Sequence, residues 1–141
     1  MASFNKFNQF VEDVGKGVHN LATGSLKVML TLTAPTASNA VKADLTEIAA
    51  GNGYTAGGTA AASPAYTQTS GTAKLTATDV VFTASGGAIA NFRYAVLYND
   101  TPTSPADPLI GYWDYGSTVT LASGETFTVD FDGTNGILTL A

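Results

Sequence analysis

A chain of 141 residues, 45% apolar and 10% aromatic, holds enough apolar material for one self-sufficient core and is not composed like a disordered segment. Only 12% of its residues are charged, about half the usual ~25%, and eleven acids against six bases leave a net charge of −5. Lys6, Lys16, Lys27, Lys42, Lys74 and Arg93 stand singly, so no basic stripe exists to neutralise phosphates, and direct nucleic-acid binding is not expected. The absence of cysteine excludes disulfides, thiolate metal sites and Cys nucleophiles. No apolar run approaches the ~20 residues that span a bilayer, so no membrane partner is expected. Asn, Glu and Asp near the start interrupt any signal-peptide core, which implies synthesis in the cytosol without a cleavable signal.

The first stretch, SFNKFNQFVEDVGKGVHNLATG, carries the one strong helical pattern. Phe4, Phe7, Phe10 or Val11, Val14, Val18 and Leu21 recur at spacings of three and four, which predicts an amphipathic N-terminal helix within residues 1–24. Ser3 is the expected N-cap and Gly24 the expected stop. The apolar stripe needs a surface to lie against: the chain's own sheet, or a neighbouring subunit.

Beyond Gly24 the period changes from 3.6 to 2. SLKVMLTLT alternates Leu26, Val28, Leu30 and Leu32 with other residues, although Met29 makes its second face partly apolar. The 26 residues from Ile48 to Ala73 contain no charge, and their only large aromatic side chains are Tyr54 and Tyr66. A loop this long in a compact domain is normally functional or mobile, so 48–73 is expected to be a surface loop or an arm. Its small, neutral residues would let it press closely on another surface at little desolvation cost.

Strand signals then follow in quick succession. TAKLTATDVVFTA supplies one or two, with Gly86-Gly87 as a turn behind them. NFRYAVLYND alternates Phe92, Tyr94, Val96 and Tyr98 with Arg93, Ala95, Leu97 and Asn99, and PLIGYWDYG adds an aromatic-rich strand. STVTLASGETFTVDF reads as a hairpin turning at Ser123-Gly124, and ILTLA closes the chain. Seven to nine short strands joined by short turns, with 21 threonines to clothe their outer faces, predict an antiparallel β-sandwich or barrel over 25–141. The whole, residues 1–141, is read as one mainly β domain.

The catalytic inventory is sparse. His19 is the sole histidine, placed on the exposed or flanking side of the predicted helix, and without a second His or any Cys it cannot complete a zinc site or a triad. Glu12 and Asp13 point about 100° apart on a helix and read as a solvated face. DFDGTNG brings Asp130, Asp132 and Asn135 together, but it lacks the distal Glu and the glycine spacing of a calcium loop and fits a turn better. Arg93 is expected to pair with a carboxylate such as Asp114 or to stack on a ring. Tyr112, Trp113 and Tyr115, with Tyr94 and Tyr98, would make a sugar platform only if they shared one face; strand alternation argues that they do not. A glycosidase would require acids such as Asp114 and Asp130 to face one cleft about 5–9 Å apart. No catalytic residue, cofactor or metal ligand is assigned.

Several segments together, FNKFNQFVEDVGKGVHNL, LKVMLTLTAP, DLTEIAAGNGYTAGG, FRYAVLYNDT, LIGYWDYG and LASGETFTVDFDGTNGILTL, resemble small structural proteins of tailed double-stranded-DNA bacteriophages, in the same order over most of the chain. The resemblance implies a non-enzymatic virion protein, a decoration or cement protein on the outer surface of the head, made in the host cytoplasm. Its expected partners are the major capsid protein and copies of itself. No residue role is carried over from the resemblance; the candidate contact residues, Phe4, Phe7 and Phe10 of the predicted helix and Tyr54 and Tyr66 of the uncharged stretch, are read from this sequence alone. A tail- or fibre-associated module that binds a host glycan through Trp113 and the tyrosines is the alternative.

Overall fold

The structure, a computed structural model, describes residues 2–141. Ten strands and one α-helix form antiparallel sheets in a sandwich-like arrangement. In chain order they are β1 (Phe4–Lys6), α1 (Asn8–Gly15), β2 (Leu26–Thr31), β3 (Thr59–Ala60), β4 (Ala65–Thr69), β5 (Thr72–Thr76), β6 (Val80–Thr83), β7 (Ile89–Asn99), β8 (Leu109–Leu121), β9 (Thr126–Val129) and β10 (Leu138–Leu140). The main sheet runs β1-β8-β7-β2-β3; a second sheet runs β10-β5-β4, and β6 pairs only with β9.

The alternation in β2 and β7 divides the main sheet into two apolar faces. Leu26, Val28, Leu30, Ala95 and Leu97 point into the larger core, where Leu75, Val80, Phe82, Val129, Phe131 and Ile137 meet them from the second layer. Met29, Val96 and Tyr98 point the other way and form a smaller core with Phe7 and Leu109, closed by Leu45 and Tyr112. The stretch that closes it is tied down by backbone bonds: Asn8 N donates to Ala37 O at 2.9 Å, Leu109 N to Ala40 O at 3.0 Å, and Lys42 N to Asp107 O at 2.9 Å. A strand covered on both faces carries apolar residues on both, which explains Met29.

The front of the chain departs from the helical expectation. Phe4–Lys6 is a strand, paired in register with Trp113, Tyr112 and Gly111 of β8. The Phe4 ring occupies the space over Gly111, where an added Cβ would lie 2.1 Å from it. Ser3 therefore caps nothing; the helix starts after Phe7, which makes no side-chain cap bond. It ends at Gly15, well short of Gly24, because Gly17 takes φ +74° and carries the chain away. Its apolar side, Phe10 with Val14, packs on the larger core.

Two further expectations are corrected. β8 and β9 do not form the hairpin read at Ser123-Gly124: β8 pairs with β7, and the turn carries the chain across to β6. The region 48–73 is not one long loop either, because it contains β3 and β4 and an antiparallel bridge from Gly51 to Tyr54.

Candidate functional site

The five candidate contact residues separate into two groups. Phe7 is fully buried with its ring 5.3 Å from Tyr112, Phe10 lies 5.2 Å from the His19 ring, and Tyr54 is buried against Phe82. Phe7 and Tyr54 hold the cores together and offer no side chain to a partner, which corrects their assignment as contact residues; Phe10 is buried too, but its side chain still lines an open cleft. Phe4 and Tyr66 are half-buried. With Phe10, Val11, Leu138 and Leu140 they line a cleft of about 180 Å³ between α1 and the second sheet. Val11 and Leu140, at 57% and 53% exposure, are apolar residues left open at its mouth.

Tyr66 belongs to a hairpin whose far end is exposed. It sits on β4, which forms a hairpin with β5 in unbroken register from Ala65↔Thr76 to Thr69↔Thr72. Ser70 and Gly71 turn with φ +52° and +84°, positive at both central positions as a type I′ turn requires. The row Tyr66, Leu75, Leu138 faces the core, whereas every residue from Thr67 to Thr72 is exposed. The hairpin thus projects past the core, and β4 carries no charge.

The rest of the uncharged stretch is pinned to its own sheet. Tyr54 donates its hydroxyl to Glu47 at 2.7 Å and accepts from Leu30 N at 3.0 Å, and Glu47 also accepts from Gly57 N at 2.6 Å. Burial raises the Tyr54 hydroxyl's pKa strongly. Gly58 approaches Val28 so closely that an added Cβ would lie 1.9 Å from its carbonyl oxygen. Close backbone approach was legible in the sequence; its target is this chain's own β2.

A second cleft, about 310 Å³, opens between β8 and β9, lined among others by Arg93, Trp113, Tyr115, Phe127 and Asp130. Trp113 is packed against Phe4 and Phe131, with ring centroids 5.1 and 5.7 Å away, while Tyr115 is 58% exposed and edge-on to Phe127. Tyr94 and Tyr112 pack together on the opposite face, and Tyr98 is buried there with Lys42 over its ring. The aromatic cluster is therefore divided, with only Trp113 and Tyr115 reaching this cleft. Arg93 holds Asp114 side-on at 2.8 and 3.0 Å, which lowers the carboxyl's pKa; Asp114 does not line the cleft beside Asp130.

The remaining polar candidates are engaged structurally. Asp132 accepts from Thr134 N and Asn135 N, each at 2.8 Å, and from the Asn135 side chain at 2.7 Å, an Asx-type turn that lowers its pKa. Glu12 pairs with Lys16 on the exposed side of α1. Asp13 and His19, expected at the surface, are buried instead, with His19 Nδ1 3.3 Å from the Asn99 amide. Because α1 stops at Gly15, the chain folds back, Val18 N bonds Asp13 O, and His19 tucks under Phe10. Among the described residues no three His, Asp or Glu side chains gather as metal ligands would, and no helix is long and apolar enough to cross a membrane. Comparison with protein-family models, curated proteins and solved structures found no match.

Proposed function

We propose that this chain is a non-enzymatic structural protein of a tailed-phage particle, a decoration or cement protein that binds the outer surface of the head and stabilises it. Its partners in this reading are the major capsid protein and further copies of itself. The observation that carries the reading is the projecting β4–β5 hairpin, whose β4 strand is uncharged, beside the open apolar cleft at Val11 and Leu140. A surface of this kind is desolvated cheaply, and modest contact strength per copy suffices when many copies bind a repeating shell. The resemblance of the chain's segments, in the same order, to small phage structural proteins supports the same reading. Particles lacking this protein should lose infectivity or integrity sooner on heating or in low salt, and adding it back should restore both. If it is absent from purified mature particles, the proposal fails.

The cleft at Tyr115 favours one second reading, a tail- or fibre-associated module that binds a host glycan. Its exposed ring and Trp113 supply an aromatic wall, and Arg93 and Asp130 supply polar groups at the rim. Tyr115→Ala is the informative variant because it spares the packed Trp113. Glycan-array binding abolished by that change supports the reading, and a blank array with the unaltered protein removes it.

A further inference from the structure

We propose that two copies of this chain associate through the free edge of β4, antiparallel about a two-fold axis at Thr67, to join their three-stranded sheets into one. The inference is read in the isolated protein and does not rest on the head-decoration role.

β4 is an edge strand, and its five residues make it the longest of the strands that end a sheet. Edge strands ordinarily carry a charge, a proline, a bulge or a very short length that discourages pairing with another chain. The other edges show these devices: β1 carries Lys6, β3 has two residues, β10 has three, and β6 and β9 are bounded by Asp79, Glu125 and Asp130. Ala65-Tyr66-Thr67-Gln68-Thr69 shows none within the strand; Pro64 precedes it and lies outside the Tyr66–Gln68 segment that would pair, and the ladder with β5 has no register shift.

The hairpin fixes which backbone groups are free. Thr69 and Thr72 flank the two-residue turn and form a hydrogen-bonded pair, so Thr67 with Lys74 forms the next one and Ala65 with Thr76 the third. Tyr66 and Gln68 are the alternate residues, whose N–H and C=O groups point away from β5. An antiparallel copy centred on Thr67 places Tyr66 opposite Gln68 of the second copy, and Gln68 opposite its Tyr66. Each pair exchanges two hydrogen bonds, so every outward group of both residues is satisfied. Thr67 then faces its own copy across a non-hydrogen-bonded position, with no like charge at the axis.

Charge argues for a second copy as the occupant. The molecule carries −5 overall, which opposes self-association elsewhere, yet no charged residue lies between Glu47 and Lys74. The Lys74 ammonium is held away by Thr134 O at 2.7 Å. The pairing area is small, so association is concentration-dependent.

The absence of native cysteine allows a direct test. At the non-hydrogen-bonded position two Cα atoms lie about 4.5 Å apart, within disulfide reach. Thr67→Cys should therefore form an oxidised dimer at least about tenfold faster than Val81→Cys, which is exposed on another edge strand. Gln68→Pro deletes an outward N–H and no hairpin ladder bond, so adding it to Thr67→Cys should abolish the rate advantage while circular dichroism retains the β signal. Thr67→Lys, which places two ammonium groups at the axis, should make the protein sediment as a monomer at concentrations where the wild type dimerises. Equal cross-linking of the two cysteine variants overturns the proposal. So does a dimer that persists in Thr67→Lys, since it would use another surface.

Discussion

The Tyr54 hydroxyl stands 2.7 Å from the Glu47 carboxylate and takes the place of a missing strand. β3 pairs with β2 only at Lys27 and Val28, which leaves the outer side of Leu30 without a strand partner. Tyr54 accepts the Leu30 N–H at 3.0 Å, and Ile48 N donates to Leu30 O at 3.1 Å. Removing the hydroxyl strands a buried N–H, so Tyr54→Phe should cost about 1–3 kcal/mol. Urea unfolding checks this: the midpoint should fall with the slope unchanged.

His19 makes stability sensitive to mild acid. Burial lowers its pKa, only partly opposed by the negative charge of Asp13, and its Nε2 has no hydrogen-bond partner. The unfolded chain binds a proton near pH 6.5, as histidine ordinarily does, whereas the folded chain resists it. Stability is therefore full above that value and declines as pH falls below it toward the depressed folded pKa. Urea midpoints between about pH 7.5 and 5.5 should drop for the wild type, and His19→Gln should flatten the decline. An unchanged slope in the variant would assign the loss to other groups.

Much of the β scaffold was legible because period-2 alternation reports which side of a strand is covered. Leu26, Val28 and Leu30 face the larger core as that pattern requires, and Met29 marks the second core. The front of the chain misled because Phe4, Phe7 and Phe10 satisfy helical spacing equally well as one strand residue, one junction and one helix residue. What decides between them is Gly111, a residue distant in sequence whose missing side chain admits the Phe4 ring. Pairing of β9 with β6 instead of β8 was likewise hidden, since Ser123-Gly124 serves a crossover as well as a hairpin. The proposed contact surface was half legible: lack of charge marked the β4 stretch, but only the three-dimensional packing separates Tyr66 at the cleft from the buried Tyr54.

Asp107 is a carboxylate whose ionisation costs stability. Burial raises its pKa, with Asp100 nearby adding to the effect, while Asp100 itself is held low by Lys27 at 2.9 Å. A pKa raised in the folded state means a penalty at neutral pH that disappears once Asp107 is protonated in both states. Asp107→Asn removes the charge and tolerates the residue's φ of +49°. It should stabilise at pH 7 by about 0.5 kcal/mol or less, because water screens much of the effect. The gain should vanish near about pH 3, where the carboxyl is neutral in both states. Thermal melts of both proteins at the two pH values measure it.

Two glycines should respond to the same substitution with opposite signs. Gly58 has φ +82°, and an added Cβ would lie 1.9 Å from Val28 O and 2.8 Å from Met29 Cα, both backbone atoms that cannot step aside alone. Gly58→Ala therefore combines left-handed strain with a clash against the central strand and should cost more than about 2 kcal/mol. Gly15 closes α1 with open space around it and no left-handed φ. There alanine lowers the entropy of the unfolded chain and raises helix propensity, so Gly15→Ala should stabilise by about 0.5–1 kcal/mol. Urea unfolding of the two variants beside the wild type reads both effects. If Gly58→Ala proved as mild as alanine at Gly116, which is left-handed but unobstructed, the 47–58 segment would not lie against β2 as described.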